Sequence, residues 1–183
     1  MNFVNLLSIL ESKNNLSDEL FKSYLKHQNI KIKHNEVEDL LKLVARLTKE
    51  SKNINIFDGY YIGYTIPQIS KEFDLLKITE NSVVNIELKS EAGEEKIKKQ
   101  LIRNKYYLEI LGKDYIYNIT YQSNEDKFYI LNGKELNELE ILDLIKILVE
   151  YPLVSDLDLL FNPSEFLVSP FNSTDKFMKM NIF

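Results

Sequence analysis

Residues 71–90 read KEFDLLKITENSVVNIELKS. Two short apolar runs flank the turn-like TEN at 79–81, and hairpin pairing of the runs is the economical reading. Yet they carry acids at Glu72, Asp74 and Glu87, and a lysine at Lys89. Strand side chains alternate between faces. In NIELK, Ile86 and Leu88 share one face, while Asn85, Glu87 and Lys89 share the other. In EFDLL, Phe73 and Leu75 oppose Glu72 and Asp74. Pairing of the two strands therefore puts Asp74 and Glu87 on one face. Two carboxylates that close repel, and one shifts its pKa upward unless a cation intervenes. Two readings stay open: an exposed sheet face with cross-strand ion pairs, or a divalent-cation site.

Working outward, the period of the chain changes on both sides. Upstream it is helical. Phe3, Leu6, Leu7 and Leu10 give a helix over residues 2–12, and Ser17 caps a second with Asp18 and Glu19 in its first turn. A third helix begins near Asn35, where Asn35 and Glu38 have capping-box spacing; Val37, Leu40, Leu41, Val44 and Leu47 form its apolar face. GYYIGYTIP, 59–67, then reads as a strand that Pro67 ends or confines to an edge. Downstream, EEKIKKQLIRNKYYLEIL, 94–111, is helical and stops at Gly112. DYIYNITY (114–121) and KFYIL (127–131) read as strands around a polar loop, and NELEILDLIKILVE (137–150) as a helix ended by Pro152.

The fold class expected is α/β, a central mixed β-sheet with flanking helices. One domain spans 1–161: a helical extension at 1–34, a core at 35–131 and a C-terminal helix at 136–150. Residues 162–183 read as a tail or linker.

Composition narrows the chemistry. The 183 residues include no cysteine and two histidines, His27 and His34. Thiol nucleophiles and zinc–thiolate sites are excluded, and histidine-based triads are disfavoured. Oxygen ligands remain, and these favour magnesium, manganese or calcium. A net charge of −5 argues against bulk electrostatic capture of nucleic acid. No apolar run approaches the ~20 residues of a membrane span. The N-terminus lacks signal-peptide features, so the expected location is cytoplasmic, without a membrane partner.

The helix after Glu87 concentrates positive charge, with Lys96, Lys98, Lys99, Arg103 and Lys105. Gln100, Arg103 and Asn104 are neighbours at i, i+3 and i+4. They can face the strand ends or form an ordinary solvated flank. Lys89, two residues beyond Glu87, can stabilise charge on a phosphoryl group or support an attacking water. Eleven tyrosines invite base stacking, though core packing is the commoner use. Tyr64 and Tyr106 are the two to test for substrate contact. The acids of EVEDLL read as a solvated helix face.

Asp74…Glu87-Leu88-Lys89 on consecutive strands, followed by a helix carrying Gln100, resembles the PD-(D/E)XK nuclease superfamily, which has a restriction-endonuclease-like fold. Its αβββαβ core matches residues 35–121 in order. The resemblance implies Mg²⁺ or Mn²⁺ held by Asp74, Glu87 and the Leu88 main-chain carbonyl. It implies Lys89 as the catalytic lysine and Gln100 as the helix glutamine of some members. A first-helix glutamate used by other members maps to Glu38, with Glu36 next. Arg103, Asn104, Lys99, Tyr64 and Tyr106 are the candidate nucleic-acid contacts. Two departures stand out: no proline precedes Asp74, and position 104 is Asn where some members have Tyr.

QLIRNKYYL and LVSPFNSTDKF further resemble N-terminal nuclease-like regions preceding a P-loop ATPase or helicase. No G-x-x-x-x-G-K-[ST] occurs in the chain. The function expected is metal-dependent phosphodiester hydrolysis, on DNA rather than RNA, in repair, restriction or phage defence. DNA, an ATPase or helicase domain or subunit, and a second copy of the chain are the expected partners. The alternative is a catalytically inactive nuclease-like module for nucleic-acid binding or assembly.

Overall fold

A computed structural model describes residues 3–67, 69–153 and 157–161. It is an α/β protein with a six-stranded mixed sheet flanked by helices. The helices α1 (Leu6–Asn15), α2 (Asp18–His27) and α3 (His34–Glu50) come first. Strands β1 (Tyr60–Ile66), β2 (Lys71–Ile78) and β3 (Ser82–Lys89) follow, then helix α4 (Glu94–Leu108). Strands β4 (Tyr115–Gln122), β5 (Lys127–Asn132) and β6 (Glu135–Glu138) lead to α5 (Ile141–Leu148) and the single turn α6 (Leu157–Leu160). The strands lie in chain order. Only β3 and β4 pair in parallel, and α4 is the crossover between them.

Alternation sorts the core into two layers. Leu75, Val84, Ile86 and Leu88 pack with Leu6 and Ile9 of α1, Leu40, Leu43, Val44 and Leu47 of α3, and Leu144 and Leu148 of α5. On the other side Leu76, Ile78 and Val83 pack with Leu108 of α4 and with Leu157 and Phe161. Ile97 and Leu101 of α4 cover Tyr129 and Leu131 there. The strands are apolar on both faces because helices cover both. Against that background, the polar residues on the α4 side of β3 stand out.

Three elements begin elsewhere than the periodicity predicts. The first helix starts at Leu6, because Val4 exchanges backbone hydrogen bonds with Tyr60 at 2.8 and 3.0 Å and Asn5 caps the turn through the Leu7 N–H at 2.9 Å. The third helix is closed by Glu36 rather than Glu38: Glu36 Oε2 accepts the Lys33 N–H at 3.0 Å. Residues 136–138, expected at the start of the last helix, belong instead to β6. Gly133 and Lys134 make the two-residue hairpin turn between the paired Asn132 and Glu135, with Gly133 at φ +62°. The last helix is therefore Ile141–Leu148. The expected tail, 162–183, lies outside the described residues. Among the described residues no helix is long and apolar enough to cross a membrane.

Candidate functional site

The β2–β3 ladder ends with Leu75 opposite Ile86. Just beyond it stand Asp74 on β2 and Glu87 on β3, whose charges act on each other. Both are buried, at 7% and 2% exposure. The Asp74 carboxylate turns toward β3, and its Oδ2 accepts the Leu88 backbone N–H at 2.8 Å. Burial, and next the charge of Glu87, push the Asp74 pKa up to about 7, against the pull of the Leu88 N–H and of Lys89.

Glu87 is held by amides. Asn104 Nδ2 donates to its Oε1 at 2.7 Å, Asn85 Nδ2 to the same oxygen at 3.3 Å, and Gln100 Nε2 to Oε2. The parallel register sets Asn85 beside Asn118, whose Oδ1 accepts Asn85 Nδ2 at 2.8 Å. Asn118 in turn donates to the Leu101 carbonyl of α4. The crossover helix thus ties the carboxylate to both parallel strands. Asn85 Oδ1 and Asn104 Oδ1 are buried without a hydrogen-bond partner among the described residues. Such groups are costly; the amide nitrogens of the same two side chains both donate to Glu87.

Cations surround the pair without closing on it. Lys89 acts on Asp74 electrostatically, and so does the acid Glu36. Lys71, Lys89 and Arg103 share one electrostatic neighbourhood with Glu87 and Asp74. None of these three cations forms an ion pair with a carboxylate among the described residues. Lys33 instead takes the outlying acids, at 2.9 Å from Glu36 and 3.2 Å from Glu72.

The structure brings Asp74, Glu87, Lys89 and Gln100 together. Glu38 lies elsewhere: it is exposed and lines a groove of about 330 Å³ with Phe21, Leu25, His34 and Leu41. Glu36, one turn from the groove and 7% exposed, is the first-helix acid that bears on Asp74. Two expected nucleic-acid contacts are corrected. Asn104 is fully buried on Glu87 and cannot reach a bound strand. Tyr64 is buried against Phe161 and Phe73, with its hydroxyl 3.1 Å from Asp158. Lys99, Arg103 and Tyr106 are exposed on α4. The EVEDLL acids are not all solvated either. Asp39 is 2% exposed and accepts the Ser90 hydroxyl at 2.9 Å and that of Ser123, pinning α3 to the ends of β3 and β4.

Among the described residues no group of three or more His, Cys, Asp or Glu side chains is arranged to hold a metal ion. The donor set is the Asp74–Glu87 pair, all oxygen. Magnesium commonly takes one or two carboxylates and keeps water for the rest, so such a pair fits Mg²⁺ or Mn²⁺. It does not fit zinc, which favours nitrogen and sulfur. Compared with protein-family models, with curated proteins and with solved structures, the chain matches none.

Proposed function

We propose that the chain is a metal-dependent nuclease domain of the PD-(D/E)XK type, hydrolysing phosphodiester bonds in DNA. One observation carries the reading: two buried carboxylates on adjacent strands, Asp74 and Glu87, act on each other electrostatically, and neither is ion-paired among the described residues. Two like charges in such surroundings cost stability. Natural proteins accept that cost at functional sites. Asp74 and Glu87, with the Leu88 carbonyl, are the groups to hold Mg²⁺ or Mn²⁺. The ion would supply Lewis-acid stabilisation at a phosphate.

The chain's own residues supply the rest. Lys89 emerges on the Glu87 face and places an ammonium where phosphoryl charge develops. Gln100 and Asn104 fix the Glu87 carboxylate, and Gln100, only half-buried, also borders solvent. Arg103, Lys99 and Tyr106 offer exposed contacts on α4. A net charge of −5 makes a further grip useful, either an ATPase or helicase domain or subunit, or a second copy of the chain. Repair, restriction or phage defence in the cytoplasm suits such an enzyme.

A second reading has its own support. Both Glu87 oxygens already accept amide hydrogen bonds, and no third carboxylate joins the pair among the described residues. That favours a catalytically inactive nuclease-like module. Cleavage of plasmid and single-stranded DNA with Mg²⁺ or Mn²⁺ decides between them. Activity lost in both Asp74→Ala and Lys89→Ala supports the enzyme. Activity that survives both refutes this site.

A further inference from the structure

Lys71 opens β2 and faces Ile66 of β1. Nothing in the sequence pattern singles it out. Its ammonium lies 4.5 Å from the centre of the Phe73 ring, and Phe73 is fully buried. Its one hydrogen bond among the described residues goes to the Glu72 carbonyl. An ammonium carries three donors. At this half-buried position the remaining donors stay open to water or to an anion.

The neighbouring acid that would satisfy it is engaged elsewhere: Glu72 is paired with Lys33. The charges that act on Lys71 are Glu87, Asp74, Lys89 and Arg103. Lys71 and Arg103 stand on different elements, strand β2 and helix α4, and share the electrostatic neighbourhood of the carboxylate pair. In a chain of net charge −5, cations unpaired beside acids point to an external anion.

We infer that Lys71 and Arg103 form a phosphate-holding pair beside the Asp74–Glu87 site, each contacting a backbone phosphate of a DNA strand. The inference rests on the nuclease reading for its ligand. It adds the contacts that position that ligand, which are separable from metal binding. Arg103 brings a planar fork suited to two phosphate oxygens, and Lys71 a point charge supported by the Phe73 ring. Contacts of this kind position a strand without reading its bases.

The test is fluorescence anisotropy of a labelled DNA oligonucleotide on the full chain, with Ca²⁺ present, over a series of salt concentrations. Lys71→Met is expected to weaken binding equally for unrelated sequences and to lower the log–log salt slope by about 1. Lys71→Arg is expected to keep the slope. Arg103→Gln, at an exposed position where folding is not at stake, is expected to lower it as Lys71→Met does. A merely structural lysine would change thermal stability and leave the slope alone. An unchanged slope in Lys71→Met and Arg103→Gln, or no binding by the wild-type chain, overturns the inference. Stabilisation by Mn²⁺ is measured on the same samples. Its absence in the wild type counts against the Asp74–Glu87 reading, and its retention in Lys71→Met shows that any loss of DNA affinity is not loss of metal.

Discussion

Asp74 reaches across a strand boundary to accept the Leu88 N–H at 2.8 Å, just beyond the last paired step of the β2–β3 ladder, Leu75 with Ile86. That one bond steadies a carboxylate whose burial and neighbour both disfavour its charge. It does not neutralise it. The pair is destabilising in the metal-free protein, so Asp74→Asn, which keeps an oxygen for Leu88 and removes the repulsion, should stabilise that form by about 1–2 kcal/mol. Mn²⁺ should stabilise the wild type by about 2.7 kcal/mol at a hundredfold excess over its Kd, and the variant hardly at all. Urea unfolding with and without Mn²⁺ measures both. A variant less stable than wild type without metal contradicts the argument.

Lys89 separates binding from chemistry. It acts on Asp74 through space and makes no ion pair among the described residues. Its removal therefore leaves the carboxylate donors in place. Lys89→Met should lower single-turnover cleavage by about 10²- to 10³-fold, the usual cost of losing one group that stabilises developing charge. Its Mn²⁺ affinity should hold or tighten, since a like charge has gone. Calorimetric Mn²⁺ titration beside the cleavage assay checks the split; equal losses in both would make Lys89 a structural residue.

The alternation of NIELK holds, with Ile86 and Leu88 in one core layer and Glu87 turned to α4. That of EFDLL does not: Leu75 packs in the layer of α1, α3 and α5 and Phe73 in the opposite one, so the strand changes face at Asp74, beside Gly63 of β1, and the Asp74 carboxylate comes to Glu87 and Lys89 by turning toward β3. The helix acids were harder. Glu36, Glu38 and Asp39 are close neighbours in sequence, and a helical period with a wide apolar stripe does not say which acids lie at its margins. Glu36 and Asp39 fall on the side of Leu40 and Leu43 and become buried; Glu38 turns to the groove beside His34. Asn104 looked like a surface contact because it follows Arg103, yet it falls in the buried row of Ile97, Leu101 and Leu108. Strand β6 was hidden by an apolar run that belongs to α5, although Gly133 opens the two-residue turn that leads into it. Lys71 carries no local signal, since most of the charges that act on it, Glu87, Lys89 and Arg103, come from β3 and α4.

Lys77 provides a pH-dependent test remote from the site. It is fully buried, donating to the Leu148 carbonyl at 2.8 Å and the Asn55 carbonyl at 3.2 Å. Burial pushes its pKa down to about 8 from 10.5, with Asp58 and Glu150 opposing. Between those values the unfolded chain binds more protons than the folded one, so stability rises with pH across that window. Below about 8 the ammonium is charged in both states and its burial is fully unfavourable. Relative to Lys77→Met, the wild type should gain about 2 kcal/mol from neutral pH to about pH 9.5. Urea unfolding at both pH values gives the difference, and a flat difference contradicts it. Staying below pH 10 keeps the tyrosines out of the comparison.

Gly63 interrupts β1 at φ +67°, a backbone conformation that side chains resist. It also receives the chain between α2 and α3: a Cβ built at Gly63 would sit 1.7 Å from the Lys31 carbonyl oxygen and 2.6 Å from its carbon. Both obstacles are backbone and neither can swing aside. Gly63→Ala should therefore cost about 3 kcal/mol by strain and overpacking. Gly112 separates the two causes. Its φ is +60°, but nothing lies within 4 Å of a Cβ there, so Gly112→Ala should cost about 1 kcal/mol from strain alone. Chemical denaturation of both variants reads the difference. Equal costs would mean that the approach of Lys31 to β1 is loose, and that α3, which carries Glu36 and Asp39 toward the strand ends, is not held against the sheet at that point.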